Sequence, residues 1–166
     1  MSQSVSGRFT IRLFKDGKWH LVTIDDYLPV KKDGILAFGK CKDPSEFWVP
    51  LLEKAYAKLN GSYRSLEWGS TAYGLVDLTG GVGFGRKISP KDSESNELWE
   101  FLCHSNEDDY FIGCSLSRKG EEKETESKET GLVGSHAYAV LKCVTVNDTK
   151  LVQIRNPWGK KEWFEK

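Results

Sequence analysis

A chain of 166 residues with 24 lysines and arginines against 24 aspartates and glutamates has no formal net charge, so its field recruits neither nucleic acid nor an anionic membrane. That length suits one domain, residues 1–166, burying roughly two thirds of its unfolded surface. No apolar run approaches the ~20 residues that span a bilayer, and Met1 to Gly7 lacks the charged and apolar regions of a signal peptide, so a soluble cytoplasmic chain is expected, with no transmembrane segment.

In chain order, Phe9-Thr10-Ile11-Arg12-Leu13-Phe14 and Trp19-His20-Leu21-Val22-Thr23-Ile24 alternate apolar and polar side chains around Lys15-Asp16-Gly17-Lys18, the pattern of an antiparallel hairpin. Asp43-Pro44-Ser45-Glu46 offers an N-cap, a proline for the first helical position and a glutamate three residues after the cap, so a helix is expected from about there. Its apolar face is Phe47, Trp48, Leu51, Leu52, Ala55, Tyr56 and Leu59, and Asn60-Gly61 stops it. Pro50 has no N–H, and is expected to kink this helix or to confine its regular part to the residues after it.

Ser70 to Leu78 reads as a short helix capped by Ser70 and ended by the glycine-rich run Thr79 to Gly85. That run has no Walker lysine and hydroxyl, and no strand leads directly into it, so it is a connector and not a phosphate cradle. Ser93 to Cys103 is acidic early and then carries Leu98, Trp99, Phe101 and Leu102, which reads as a further amphipathic helix. Strands are expected at Phe111 to Leu116, His136 to Val144 and Leu151 to Arg155, with Asn147-Asp148 as the turn that lays the last antiparallel to the one before it. Between the first two of these, Gly120 to Thr130 holds five glutamates, two lysines and no apolar residue, so residues 117–131 are expected to form a mobile acidic loop. The fold class expected is α+β, antiparallel sheets packed with helices.

The turn brings the ends of two strands together, and those ends carry chemistry. His136 lies in Gly134-Ser135-His136-Ala137-Tyr138 and Asn156 in Arg155-Asn156-Pro157-Trp158-Gly159. In Cys-His nucleophilic catalysis an imidazole takes the thiol proton, and a third group accepting from the other ring N–H fixes its orientation and tautomer. The base and the orienter are present, and the nucleophile is not evident. Cys103 falls near the end of its expected helix, where the dipole opposes a thiolate. Cys143 is seven residues from His136 in one strand, an odd separation that turns the two to opposite faces. Cys114 has no basic neighbour, and Cys41 sits between lysines in a loop that implies no geometry. His20 and His104 have no partners at zinc spacing.

These segments resemble the calpain family of calcium-dependent intracellular thiol proteases. The resemblance runs from about Phe9 to Trp163 and rests also on Asp25-Asp26-Tyr27-Leu28-Pro29, Ser45-Glu46-Phe47-Trp48, Leu52 to Gly61 and Asp77-Leu78-Thr79-Gly80-Gly81, in the family's order. It implies the β-rich second subdomain of a papain-like protease core, with the catalytic cysteine on a first subdomain absent from this chain. Carried over, His136 is the general base, Asn156 accepts its second N–H, and Trp158 shields that bond in the cleft. Glu162 occupies the position of one calcium ligand, the family's others lying beyond Lys166, so calcium is an expected cofactor with an incomplete site here. The resemblance implies protein substrates, and these residues alone are expected to be inactive. The rival expectation is a non-catalytic peptide-binding or scaffold module, which His136 and Asn156 do not exclude.

Overall fold

The computed structural model describes residues 2–3, 7–93, 95–116, 125–126 and 131–158. It is α+β, with antiparallel sheets and three α-helices, and the chain divides into two units, Met1–Phe84 and Gly85–Lys166. Among the described residues no helix is long and apolar enough to cross a membrane.

In the first unit the expected hairpin forms. Strand β2 (Arg8–Lys15) pairs antiparallel with β3 (Lys18–Asp25), with Ile11 opposite Val22 and Lys15 opposite Lys18, and the short β1 (Ser2–Gln3) adds to the other side of β2. Asp16 and Gly17, at φ 50° and 75°, make the two-residue reversal whose twist matches a hairpin. Period-two alternation sends Ile11 and Leu13 of β2, with Val22 and Ile24 of β3, to one face, where Leu51 and Ala55 of helix α1 (Trp48–Leu59) close over them. Leu13 is 1% exposed and Ala55 fully buried. A methyl at position 55 lets the helix backbone lie close to the sheet. Lysines of α1 then bind oxygens at and just beyond the end of the edge strand: Lys58 Nζ donates to Thr23 O at 2.7 Å, and Lys54 Nζ to the Asp25 carboxylate at 2.5 Å and to Tyr27 O at 2.6 Å. The Lys54 hydrogen bond holds the Asp25 carboxyl below its ordinary range.

Helix α1 starts at Trp48, not near Asp43. The Asp43 carboxylate instead accepts from Ser45 N and Oγ at 2.8 and 2.7 Å, a local turn that competes with helix initiation. Phe47 is the N-cap and makes no side-chain cap bond. Pro50 thereby falls at the third helical residue, where a missing N–H is harmless because the first turn has no acceptor for it. Helix α2 (Thr71–Thr79) follows the expected bounds within a residue, although Ser70 makes no side-chain cap bond. It ends at Gly80, φ 70°, where a Cβ would stand 2.5 Å from the Trp19 ring, so both the left-handed backbone and the close approach require glycine. Tyr56 of α1 donates to Asp77 of α2 at 2.7 Å, and burial together with that carboxylate pushes the phenol up to about 12.

In the second unit, β4 (Ile112–Leu116), β7 (His136–Val146) and β8 (Thr149–Arg155) form an antiparallel sheet with β7 central. Thr125–Glu126 (β5) pairs with Val133–Gly134 (β6). Thr125 and Glu126 are the described part of the acidic separator; residues 117–124 and 127–130 of the mobile loop expected at 117–131 lie outside the described residues. Helix α3 (Glu97–Glu107) packs on β7 and starts four residues later than expected, at Glu97 instead of Ser93. The helix also runs on past Cys103 to Glu107, so Cys103 sits in mid-helix and not at its end.

The β7–β8 turn is Asn147-Asp148, both at positive φ (47° and 61°), as a two-residue hairpin demands. The ladder slips once: Val140 faces Ile154 and Lys142 faces Gln153, leaving Leu141 as an extra residue. That bulge inverts the alternation beyond it. Cys143 pairs with Val152, two residues from Ile154 and hence on its face, so Cys143 shares a face with Val140, Tyr138 and His136. The expectation of opposite faces is thus wrong, because counting parity along β7 assumes an unbroken ladder.

Candidate active site

His136 opens the central strand of the second unit's sheet. Leu116 of β4 is its register partner on one side, and Asn156 comes directly after the last residue of β8 on the other. It is buried at 7% exposure, Asn156 is half-buried, and Trp158 is 44% exposed. The chain reaches His136 through a sharp reversal, with Ser135 at φ 54° and its N–H donating to Leu116 O at 2.7 Å.

The two side chains meet. His136 Nε2 and Asn156 Oδ1 are 2.9 Å apart, and Trp158 N donates to the same oxygen at 3.0 Å. The second bond is a turn closed by Asn156 over Pro157, whose ring presets the backbone at the middle position. It also decides the chemistry of the first. A backbone N–H only donates, so it selects the carboxamide oxygen, and that oxygen only accepts, so Nε2 must carry the hydrogen. In the neutral ring Nδ1 then holds the lone pair. The Trp158 ring tilts against the imidazole, with centroids 4.5 Å apart and planes at 48°. Tyr138, 7% exposed, stands edge-on to it at 5.0 Å and 87°. An imidazole fixed in one tautomer by a carboxamide and screened by two aromatic rings is suited to taking a proton at Nδ1 and giving it back.

The thiols of this unit are placed otherwise. Cys143 is seven residues along β7, roughly 20 Å at the rise of a strand; its thiol is pushed up by burial and then by neighbouring Cys103. Its N–H donates to Asn106 of α3 at 3.1 Å, so that end of the face is occupied by helix packing. Cys114 lies opposite Tyr138 in the register, on the imidazole's face, and burial pushes its thiol up too. Both shifts keep the protonated, weakly nucleophilic form. Cys41 belongs to the other unit.

Glu162 lies outside the described residues. Among the described residues no three of histidine, cysteine, aspartate and glutamate converge as a metal site. Sequence reasoning singled out His136, Asn156 and Trp158, and the structure brings all three together. It gave no role to Tyr138 or Pro157. The signal for Tyr138 was its spacing of two from His136, which puts both on one face of a strand.

The α+β fold and this pairing of side chains fit the class of thiol hydrolases, and the comparisons narrow it. The family described as "Calpain family cysteine protease" matches residues 1–166, and the chain belongs to that family. It is 41% identical over 162 residues to the Calpain-type cysteine protease ADL1 of Oryza sativa subsp. japonica, covering 95% of this chain and 7% of that protein. It is 38% identical over 162 residues to the Calpain-1 catalytic subunit of Homo sapiens, covering 95% and 22%. With Calpain-5 of Caenorhabditis elegans the identity is 36% over 181 residues, covering 95% and 28%. The chain therefore spans less than a third of the length of each of these relatives.

Proposed function

We propose that these residues form the histidine- and asparagine-bearing second subdomain of a calpain-type cysteine endopeptidase, acting on protein substrates in the cytoplasm. The observation that carries the proposal is the 2.9 Å contact between His136 Nε2 and Asn156 Oδ1, its polarity set by the Trp158 N–H. Family membership supplies the reaction. A cysteine thiol from a first subdomain, outside these residues, gives its proton to His136 Nδ1. The thiolate attacks the peptide carbonyl carbon, and the imidazolium protonates the leaving amine as the C–N bond breaks. Water, deprotonated by the same nitrogen, then cleaves the thioester and restores the thiol. Asn156 holds the ring throughout, and Trp158 keeps water from the bond that holds it.

Calcium dependence belongs to the proposal, with Glu162 as the candidate ligand in this chain; no step above is routed through the ion. The four cysteines here are not the nucleophile, so the 166 residues alone are inactive. The test is His136→Ala in the protein that joins these residues to the cysteine-bearing half, assayed on an unfolded protein substrate with and without calcium. Loss of cleavage with folding intact supports the base. Retained cleavage removes it, and a parent protein that never cleaves leaves the peptide-binding scaffold as the reading.

A further inference from the structure

The geometry points to Tyr138 as a positioning residue for the His136 imidazole, acting through the backbone that delivers the histidine. The inference rests on the reading of His136 as the base. Tyr138 touches two things at once. Its ring stands edge-on to the imidazole at 5.0 Å, and its hydroxyl accepts the Val133 N–H at 2.8 Å. Val133 is 4% exposed and begins the two-residue strand that runs into the Ser135 reversal. Between Val133 and His136 the chain holds one left-handed residue, Ser135, which as a non-glycine is strained there. A strained reversal keeps its shape only while its surroundings hold it. Among the described residues two hydrogen bonds do so besides the β5–β6 pairing: Ser135 N to Leu116 O at the turn, and Val133 N to the Tyr138 hydroxyl at its entry.

The phenol is thus a strut of fixed length. Its hydroxyl end locates the entering backbone, its ring edge locates the imidazole, and both are referred to one rigid side chain on the central strand. Asn156 sets which nitrogen carries the hydrogen, and Tyr138 sets where the ring plane lies when it meets that oxygen. The division predicts different symptoms: without Asn156 the tautomer is lost, whereas without the Tyr138 hydroxyl the tautomer persists but the Nε2–H bond opens more often.

The test uses the 166-residue chain with nitrogen-15 histidine, following the Nε2 proton of His136 by NMR. Tyr138→Phe keeps the ring, removes the acceptor of a buried N–H, and is expected to speed exchange of the Nε2 proton about tenfold while the Nε2–H tautomer remains the major form. Tyr138→Leu, which also removes the ring edge, is expected to broaden or abolish that proton signal. An unchanged exchange rate in Tyr138→Phe, whatever happens to Tm, overturns the proposal and leaves Tyr138 a packing residue. Should the variant not fold, native-state exchange in the unaltered chain decides: protection of the Val133 amide and of the Nε2 proton should be lost in the same opening, and separate openings overturn the proposal. In the joined, active protein Tyr138→Phe should lower kcat about tenfold with KM unchanged. Failure of His136→Ala to stop hydrolysis would remove His136 as the base without altering the imidazole measurement, so the two failures are distinguishable.

Discussion

The two units bury different things. The first hides aliphatic side chains, Ile11, Leu13, Val22 and Ile24 beneath Leu51 and Ala55, around a hairpin whose edge is closed by lysines. Among the described residues of the second, the buried side chains include a histidine and a serine, His136 and Ser105, beside Val133 and Tyr138. Aliphatic burial is non-directional and tolerant of small shifts, whereas a buried imidazole is stable only while each polar neighbour keeps its geometry. One unit is therefore built to be stable and the other to be accurate, and mutations should separate the two properties.

The sharpest break is His136→Ala, expected to reduce peptide hydrolysis in the joined protein by at least about a thousandfold while changing the stability of the chain little. Leu13→Ala is its mirror. It empties a site at 1% exposure and should cost about 2–5 kcal/mol in denaturant unfolding, with the imidazole NMR signal unchanged in the fraction that stays folded. A comparable disturbance of that signal by Leu13→Ala would show that the units do not divide the work as described. Asn156→Ala comes next, with kcat down roughly ten- to a hundredfold and the Nε2–H tautomer no longer favoured, because it orients the ring without moving the proton.

The fourth comparison is of pH. Tyr56 has its phenol raised to about 12 in the folded chain, against an ordinary value near 10. Between these values the unfolded chain loses the proton while the folded chain keeps it, so the contribution is whole below about pH 10 and is lost as pH rises from there through about 12. Tyr56→Phe should flatten that alkaline decline in the first unit's unfolding. The smallest effect is expected at the β7–β8 turn: Asp148→Gly relieves a non-glycine at φ 61° and should stabilise the second unit by about 0.5 kcal/mol in denaturant unfolding.

How much the residues announced depended on the range of the interactions. The β2–β3 hairpin was legible because period-two alternation and Asp16-Gly17 agree with each other, and the meeting of His136 with Asn156 because Asn147-Asp148 is a recognisable turn between two strands. The start of α1 was misplaced because Asp43-Pro44-Ser45-Glu46 has the residues of a cap, yet the Asp43 carboxylate is taken up by Ser45, and the helix begins only at Trp48. The face of Cys143 was misjudged because the extra residue at Leu141 is a property of the pairing and leaves no mark of composition. Tyr138 was passed over for a related reason: its hydroxyl partner is a backbone N–H, which every residue but proline possesses.

The slip at Leu141 makes β7 a strand of two phases. Up to Val140 its inward positions are the even ones and from Cys143 the odd ones, so a family member that gained or lost a single residue there would turn one end of the strand inside out. The histidine end and the helix-covered end are thus coupled by length and not by chemistry. Strand length at this point is as much a part of the site as the imidazole it presents.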